Sequence, residues 1–207
     1  MARTAKPDTR NALLGAAFGL VRRQGLAATS VDEICAAAGV SKGAFFHHFK
    51  SKDELAAAAA YHWSAVTQPF FAGAPYHQPE DPLERLLGYI DLRAEMMSGE
   101  IAEFTCVAGT MVQEAWATSP AVRAGAWDSM SRHAEALEPD IEAAKAARGI
   151  GDAIDARGLA RHTVAVVQGA FILAKASGDP ATGAETVRHL RRYVELLFAD
   201  RRGTKDA

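Results

Sequence analysis

The chain has 207 residues, 49% of them hydrophobic and 23% charged, with two cysteines and a formal net charge of −2. That length holds one large domain or a small one joined to a medium one, and the composition excludes wholesale disorder. Cys35 and Cys106 are too few and too far apart for a disulfide framework or a zinc ligand set, and no run approaches the roughly 20 apolar residues of a membrane span.

The first element predicted is a helix from about Lys6 to Gln24. Leu13, Leu14, Ala17, Phe18 and Val21 fall on one face of it, and Gly25 marks its stop. Thr29 and Ser30 offer N-caps to a second, short helix, with Asp32 or Glu33 completing a capping box and Gly39 ending it. Ser41 caps a third short helix, and a long helix follows from about Asp53 to Phe70 with five consecutive alanines, Ala56 to Ala60. After the proline-rich stretch 69–82, helical patterning resumes with Leu83, Leu86, Leu87 and Ile90. It continues over about 101–117, 120–148, 155–177 and 181–199, separated by glycine and proline signals. No segment alternates with period two. The expected fold class is all-α, with about nine helices: a three-helix head over 1–52 and a helical-bundle body over 53–207.

Charge is distributed unevenly over those two parts. Residues 1–52 carry eight basic side chains (Arg3, Lys6, Arg10, Arg22, Arg23, Lys42, Lys50, Lys52) against three acids, whereas the remainder is net acidic. A basic head on an acidic body is the layout expected when one end meets a polyanion. Within the head, Thr29 to Leu55 reads as a helix-turn-helix. Gly39 can take the positive φ of the turn, and Ile34, Ala38, Val40 and Phe45 supply a small core. Cys35 stands where the two helices cross closely and substitutes for alanine there.

The stretches Ile34-Cys-Ala-Ala-Ala-Gly-Val-Ser-Lys-Gly and Phe46-His-His-Phe-Lys-Ser-Lys-Asp-Glu-Leu, within residues 9–55, closely resemble the TetR family of bacterial transcriptional regulators. Beyond residue 60 the resemblance is one of architecture. It implies that the helix of about Lys42–His48 enters the major groove of a double-stranded DNA operator. At the matching positions, Ser41 opens that helix and Lys42 donates to a guanine edge or a phosphate. Gly43 and Ala44 let the helix approach, and His47, His48 and Lys52 reach the phosphate backbone. Thr29 binds phosphate through its hydroxyl and amide. Phe46 departs from the family pattern, in which a tyrosine hydroxyl commonly reaches a phosphate.

The resemblance further implies an effector-binding and dimerisation body, and hence a homodimer on a palindrome, most simply a ligand-released repressor. The helices of about 155–177 and 181–199 are the expected interface, with Gly169, Ala170 and Ala174 as a small-residue strip and Leu159, Val164, Val166, Val167, Ile172, Leu173, Val187, Leu190, Val194, Leu197 and Phe198 as the apolar positions. Large and polar side chains in the body are candidates to line a site for a small organic effector: Trp63, Tyr89, Met96, Phe104, Thr110, Met111, Gln113, Trp116, Trp127, His133, Gln168 and Phe171. The nucleophile-elbow, Walker, H-E-x-x-H and paired-cysteine motifs are all lacking, so no catalytic, metal or cofactor site is expected. A helical enzyme using a facing pair such as Glu114 and His133, or a non-specific architectural DNA binder, is the alternative. The first residues lack the apolar core of a secretory signal, and a cytoplasmic location is expected.

Overall fold

The computed structural model describes residues 8–199; Arg3 and Lys6, counted in the basic head, and the expected helix start at Lys6 lie outside them. Among the described residues there are eleven α-helices and no strand. They are α1 (Thr9–Gln24), α2 (Val31–Ala38), α3 (Lys42–His48), α4 (Lys52–Ala72), α5 (Pro82–Glu95), α6 (Ile101–Phe104), α7 (Val107–Ala115), α8 (Pro120–Glu135), α9 (Glu138–Arg148), α10 (Ala156–Ser177) and α11 (Pro180–Phe198).

Two of the expected runs divide. The run 101–117 breaks at Thr105-Cys106, where Cys106 becomes the N-cap of α7 and its Sγ accepts from the Gly109 amide at 3.4 Å. The run 120–148 breaks ahead of Glu138-Pro139, because a proline in the first turn forfeits no intrahelical bond and therefore favours a helix start. These two breaks turn nine expected helices into eleven. No helix among the described residues is long and apolar enough to cross a membrane.

The chain forms two compact units, each built from two separate stretches of sequence. One joins residues 1–67 to 105–130; the other joins 68–104 to 131–207. In the first unit α1, α2 and α3 pack around Leu13, Leu14, Val21, Ile34, Phe45 and Phe49. The same core includes Leu55, Ala56, Ala59 and Ala60 of α4, and Val107, Met111 and Ala115 of α7. In the second unit α5, α9, α10 and α11 pack on one another through Leu86, Ile90, Ile141, Leu159, Val167, Val187, Leu190 and Val194.

That packing reassigns the small-residue strip. Ala170 and Ala174 face Gly183 of α11 within the same chain, where an added Cβ would stand 3.0 Å from the Ala170 carbonyl oxygen, 3.0 Å from Met97 Sδ and 3.3 Å from Ala174 Cβ. Leu159, Val164, Val167, Val187, Leu190, Val194 and Phe198 are likewise buried inside the unit, so they build the α10–α11 pair itself. The outward apolar positions are Ile172 and Leu173, together with Tyr193 and Leu196, which the periodicity did not single out.

The close α10–α11 approach makes one position sensitive to volume. Gly183→Val should lower unfolding stability by about 2 kcal/mol through overpacking, read from urea denaturation, with Gly183→Ala intermediate. An unchanged midpoint in both variants would show that α11 can back away from α10.

Candidate functional site

The geometry of the head follows from how its turn is closed. Ser30 caps α2 in a full capping box, with its hydroxyl accepting from the Glu33 amide and the Glu33 carboxylate accepting from the Ser30 amide at 2.7 Å. That amide bond is the main cause holding the Glu33 carboxyl below its ordinary range. Gly39 ends α2 at φ 65°, a left-handed conformation that glycine adopts without a Cβ clash. Ser41 Oγ then accepts from the Ala44 amide at 3.2 Å and starts α3. Cys35 is buried under this turn, and burial pushes its thiol pKa up, in keeping with a packing role.

Phe45 on α3 and Phe49 at its C-cap are sealed in the core. The opposite face therefore carries Lys42, Gly43, Phe46 and His47 into solvent, with Ala44 and His48 half-buried beside them. Phe46 is 51% exposed, its ring edge-on to Phe45 at 5.2 Å, so it belongs to the surface and not to the core. An added Cβ at Gly43 would have Ser41 Oγ, 3.8 Å away, as its nearest neighbour, which leaves room for close approach. The Lys42 ammonium pairs with Asp32 at 2.8 Å, both side chains being exposed, and that bond is the chief cause of its raised pKa.

Thr29 and Lys52 occupy different ground from the rest of the expected DNA-contacting set. Thr29 is buried, and its hydroxyl donates to the Gly25 carbonyl at 2.6 Å while its amide bonds Leu26. Lys52 Nζ donates to the carbonyls of Leu26 (2.9 Å), Ala27 (3.3 Å) and Thr29 (2.9 Å). Both groups hold the loop between α1 and α2. The same loop is gripped by Glu114 of α7, whose Oε1 accepts from the Leu26 amide at 3.1 Å and whose Oε2 accepts from the Ala27 amide at 2.7 Å. Gly25, at φ 86°, makes room for that carboxylate: a Cβ there would lie 2.5 Å from Oε1.

The twelve effector candidates divide between the two units. Trp63, Thr110, Met111, Gln113, Trp116 and Trp127 belong to the first unit. Trp63 packs edge-on to Phe18 at 5.2 Å and under the Arg22 guanidinium, Met111 is core, and Thr110 and Gln113 bond carbonyls of their own helix turn. Trp116 and Trp127 are each 60% exposed, which takes them out of any enclosed lining. Tyr89, Met96, Phe104, His133, Gln168 and Phe171 belong to the second unit. There Tyr89 Oη lies 2.6 Å from His133 Nε2, and the Phe71 ring contacts both the His133 ring at 4.8 Å and the Tyr89 ring at 6.1 Å. Phe104 and Phe171 meet at 6.1 Å. Burial, and secondarily the charge of Arg93, lowers the His133 pKa to about 3. With Glu114 bound to backbone amides and His133 to Tyr89, neither is available for the facing pair that an enzymatic reading needs.

Two functional features escaped the sequence. The role of Glu114 depends on a contact 88 residues away in the chain, which no local pattern encodes. Arg93, beside these aromatic rings, carries a local signal that its charge masks: it falls at helical spacing with Leu86, Tyr89 and Ile90 on the buried face of α5.

Comparison with known proteins finds one match in the head and a second in the body. Residues 13–59 match the family model described as bacterial regulatory proteins, tetR family, and residues 82–190 match tetracyclin repressor-like, C-terminal domain. The HTH-type transcriptional regulator AcrR of Shigella flexneri is 45% identical over 58 residues, 27% of each chain. The HTH-type transcriptional regulator CymR of Pseudomonas putida is 37% identical over 76 residues, 36% of this chain and 37% of that one. The aligned stretch thus spans only about a quarter to a third of these curated relatives. The crystal structure of regulatory protein TetR from Rhodobacter sphaeroides superposes with a TM-score of 0.78 at 23% identity, covering 89% of this chain and 98% of that one, which shows a shared fold.

The loop grip and the buried imidazole each have a measurable signature. Glu114→Ala should cost about 1 kcal/mol of stability and speed hydrogen exchange at the Leu26 and Ala27 amides, since charge-assisted bonds to them are lost; unchanged exchange would show that the carboxylate holds nothing. For His133, the unfolded imidazole binds a proton near pH 6.5 and the folded one only near pH 3. Between those values the unfolded state holds more protons, so stability falls as pH drops, by up to about 1.4 kcal/mol per pH unit. Urea midpoints between pH 6.5 and 5.5, where carboxylates remain largely ionised, should show this slope, and His133→Gln should flatten it.

Proposed function

The chain belongs to the TetR family of bacterial regulatory proteins, and we propose that it is a homodimeric, ligand-released transcriptional repressor reading a palindromic operator with α3, in the cytoplasm. The observation that carries this reading is the division of α3 and its C-cap into a sealed face, Phe45 and Phe49, and an exposed face, Lys42, Gly43, Phe46 and His47. A seven-residue helix anchored this way, with no side chain at Gly43, fits the major groove with its donors outward.

Each expected contact then has a role. Lys42 exchanges its exposed partner Asp32 for a guanine edge or a phosphate, a cheap exchange because surface ion pairs are worth little. Ala44 offers a methyl contact, and Ser41 fixes the start of the helix. His47 and His48 lie at its end, toward the phosphate backbone. Phe46 supplies an apolar contact where relatives place a phenol. Thr29 and Lys52 act indirectly, by holding the loop that orients α2 and α3.

Self-association is supported by the outward apolar positions Ile172 and Leu173 of α10 and Tyr193 and Leu196 of α11, with Leu196 73% exposed. Gly169 stands one turn before Ile172 and Leu173 on α10 and has nothing within 4 Å of an added Cβ. Two copies joined through these helices form a two-fold, four-helix contact, which suits half-sites roughly 34–36 Å apart. An effector in the body shifts the equilibrium away from the DNA-competent arrangement, so operator DNA weakens effector binding by the same factor.

Fluorescence anisotropy with a duplex selected from a random pool tests the reading. Two protomers should bind per duplex. Lys42→Ala should lower affinity about tenfold or more, and Asp32→Asn should raise it by freeing Lys42 and removing a charge that repels phosphate. Leu173→Asp combined with Leu196→Asp should give monomers in analytical ultracentrifugation. Equal affinity for all duplexes, or a wild-type chain that stays monomeric at micromolar concentration, would overturn it.

A further inference from the structure

Three arginines of the second unit that are partly buried pair with carboxylates, whereas a more deeply buried one does not. Arg85 pairs with Asp140 at 2.8 Å, Arg148 with Asp81 at 2.7 Å and Arg191 with Asp91 at 2.8 Å, all on partly exposed side chains. Arg93 is 9% exposed, the most buried arginine among the described residues, yet it has no ion pair and no hydrogen bond with any of them. Its Nε is fully enclosed without an acceptor. Phe71 and Phe171 flank the guanidinium at 5.1 and 5.4 Å from its central carbon. Aromatic rings offset part of the cost of burying the cation, but they leave its N–H donors without acceptors. Tyr89 and His133 feel the charge of Arg93 and are engaged with each other.

A buried cation with idle donors and no counter-charge among the described residues is a ready place for an anion supplied from outside. Building on the ligand-released reading above, we propose that Arg93 anchors the acidic group of the effector, which is a small organic acid. A carboxylate forks onto the guanidinium, and the apolar body of the ligand lies against Phe71, Phe104 and Phe171. A single cation in aromatic surroundings suits a monoanionic carboxylate better than a phosphate dianion. This also explains why the protein places a strongly basic, always-ionised side chain on the buried face of α5, where leucine would pack without cost.

The full-length dimer, titrated calorimetrically with benzoate, phenylacetate and octanoate and with their neutral amides, tests this directly; phenyl phosphate serves as the phosphate arm. At least one acid should bind with a sub-millimolar dissociation constant, release the selected duplex, and bind at least about tenfold better than its amide and than phenyl phosphate. Arg93→Met should lose that preference and about tenfold in affinity while still binding the duplex. Arg93→Lys should keep part of the preference, and it carries the test if the Met variant does not fold. Acids and amides bound alike, acid affinity unchanged in Arg93→Met, stronger binding of phenyl phosphate, or no acid of the set bound in the sub-millimolar range would each overturn the proposal. Failure of the repressor reading is separately visible, as loss of selective DNA binding by the wild-type dimer without any ligand.

Discussion

The five-residue loop from Gly25 to Thr29 is held by two full charges of opposite sign. Lys52 satisfies its carbonyls and Glu114 satisfies its amides, each group using several donors or acceptors at once. Everything downstream in the head takes its direction from that loop. Ser30 caps α2 immediately after it, α2 turns at Gly39, and the turn aims α3. Charge-assisted bonds to backbone are short and directional, so they fix an orientation more tightly than apolar contacts of equal strength. Sequence comparison would class both residues as surface charges. Their effect is instead to tie the loop that leads into α2 and α3 to α4 and α7.

Charge in this protein is used in two contrasting ways. On the head it is exposed and exchangeable: the Lys42–Asp32 pair is open to solvent on both sides, so it breaks at little cost. In the second unit Arg85, Arg148 and Arg191 are locked to carboxylates on or beside neighbouring helices, and these pairs fix how α5, α9 and α11 register against one another. Arg93 stands apart from both patterns, enclosed like a structural cation yet unpaired like a binding one. Chain connectivity gives that position reach. Phe104, in ring contact with Phe171 beside Arg93, is followed within three residues by the start of α7, the helix that carries Glu114.

Much of this was legible in the residues, and the limits have physical causes. Helix positions followed from apolar periodicity and from glycine, because both act locally; the capping box at Ser30 and Glu33 and the turn at Gly39 are of this kind. The break at Cys106 went unseen because a thiol is a weak cap that composition does not advertise. Ala170 and Ala174 were assigned to a partner chain because a small-residue strip reads the same whether the approaching helix is the next one or a second copy; Gly183 decides it. Thr29 was assigned to phosphate because a hydroxyl at a helix start suits both an external anion and a carbonyl four residues back. The effector candidates were chosen by size and polarity, which cannot tell a core methionine from a lining one or an exposed tryptophan from an enclosed one. Long-range satisfaction of charge, as at Glu114, leaves no trace in spacing at all.

The grip on the 25–29 loop also orders events during synthesis. Helices α1 to α3 leave the ribosome first, and domains usually fold from the N-terminus as they emerge. Here the amides of Leu26 and Ala27 stay without their acceptor, and Val21, Ile34 and Leu55 without the Val107, Met111 and Ala115 that share their core, until more than half the chain has been made. The part that reads DNA is therefore completed by the part made later, and a nascent chain long enough to contain the whole helix-turn-helix is not yet long enough to hold it in its final shape.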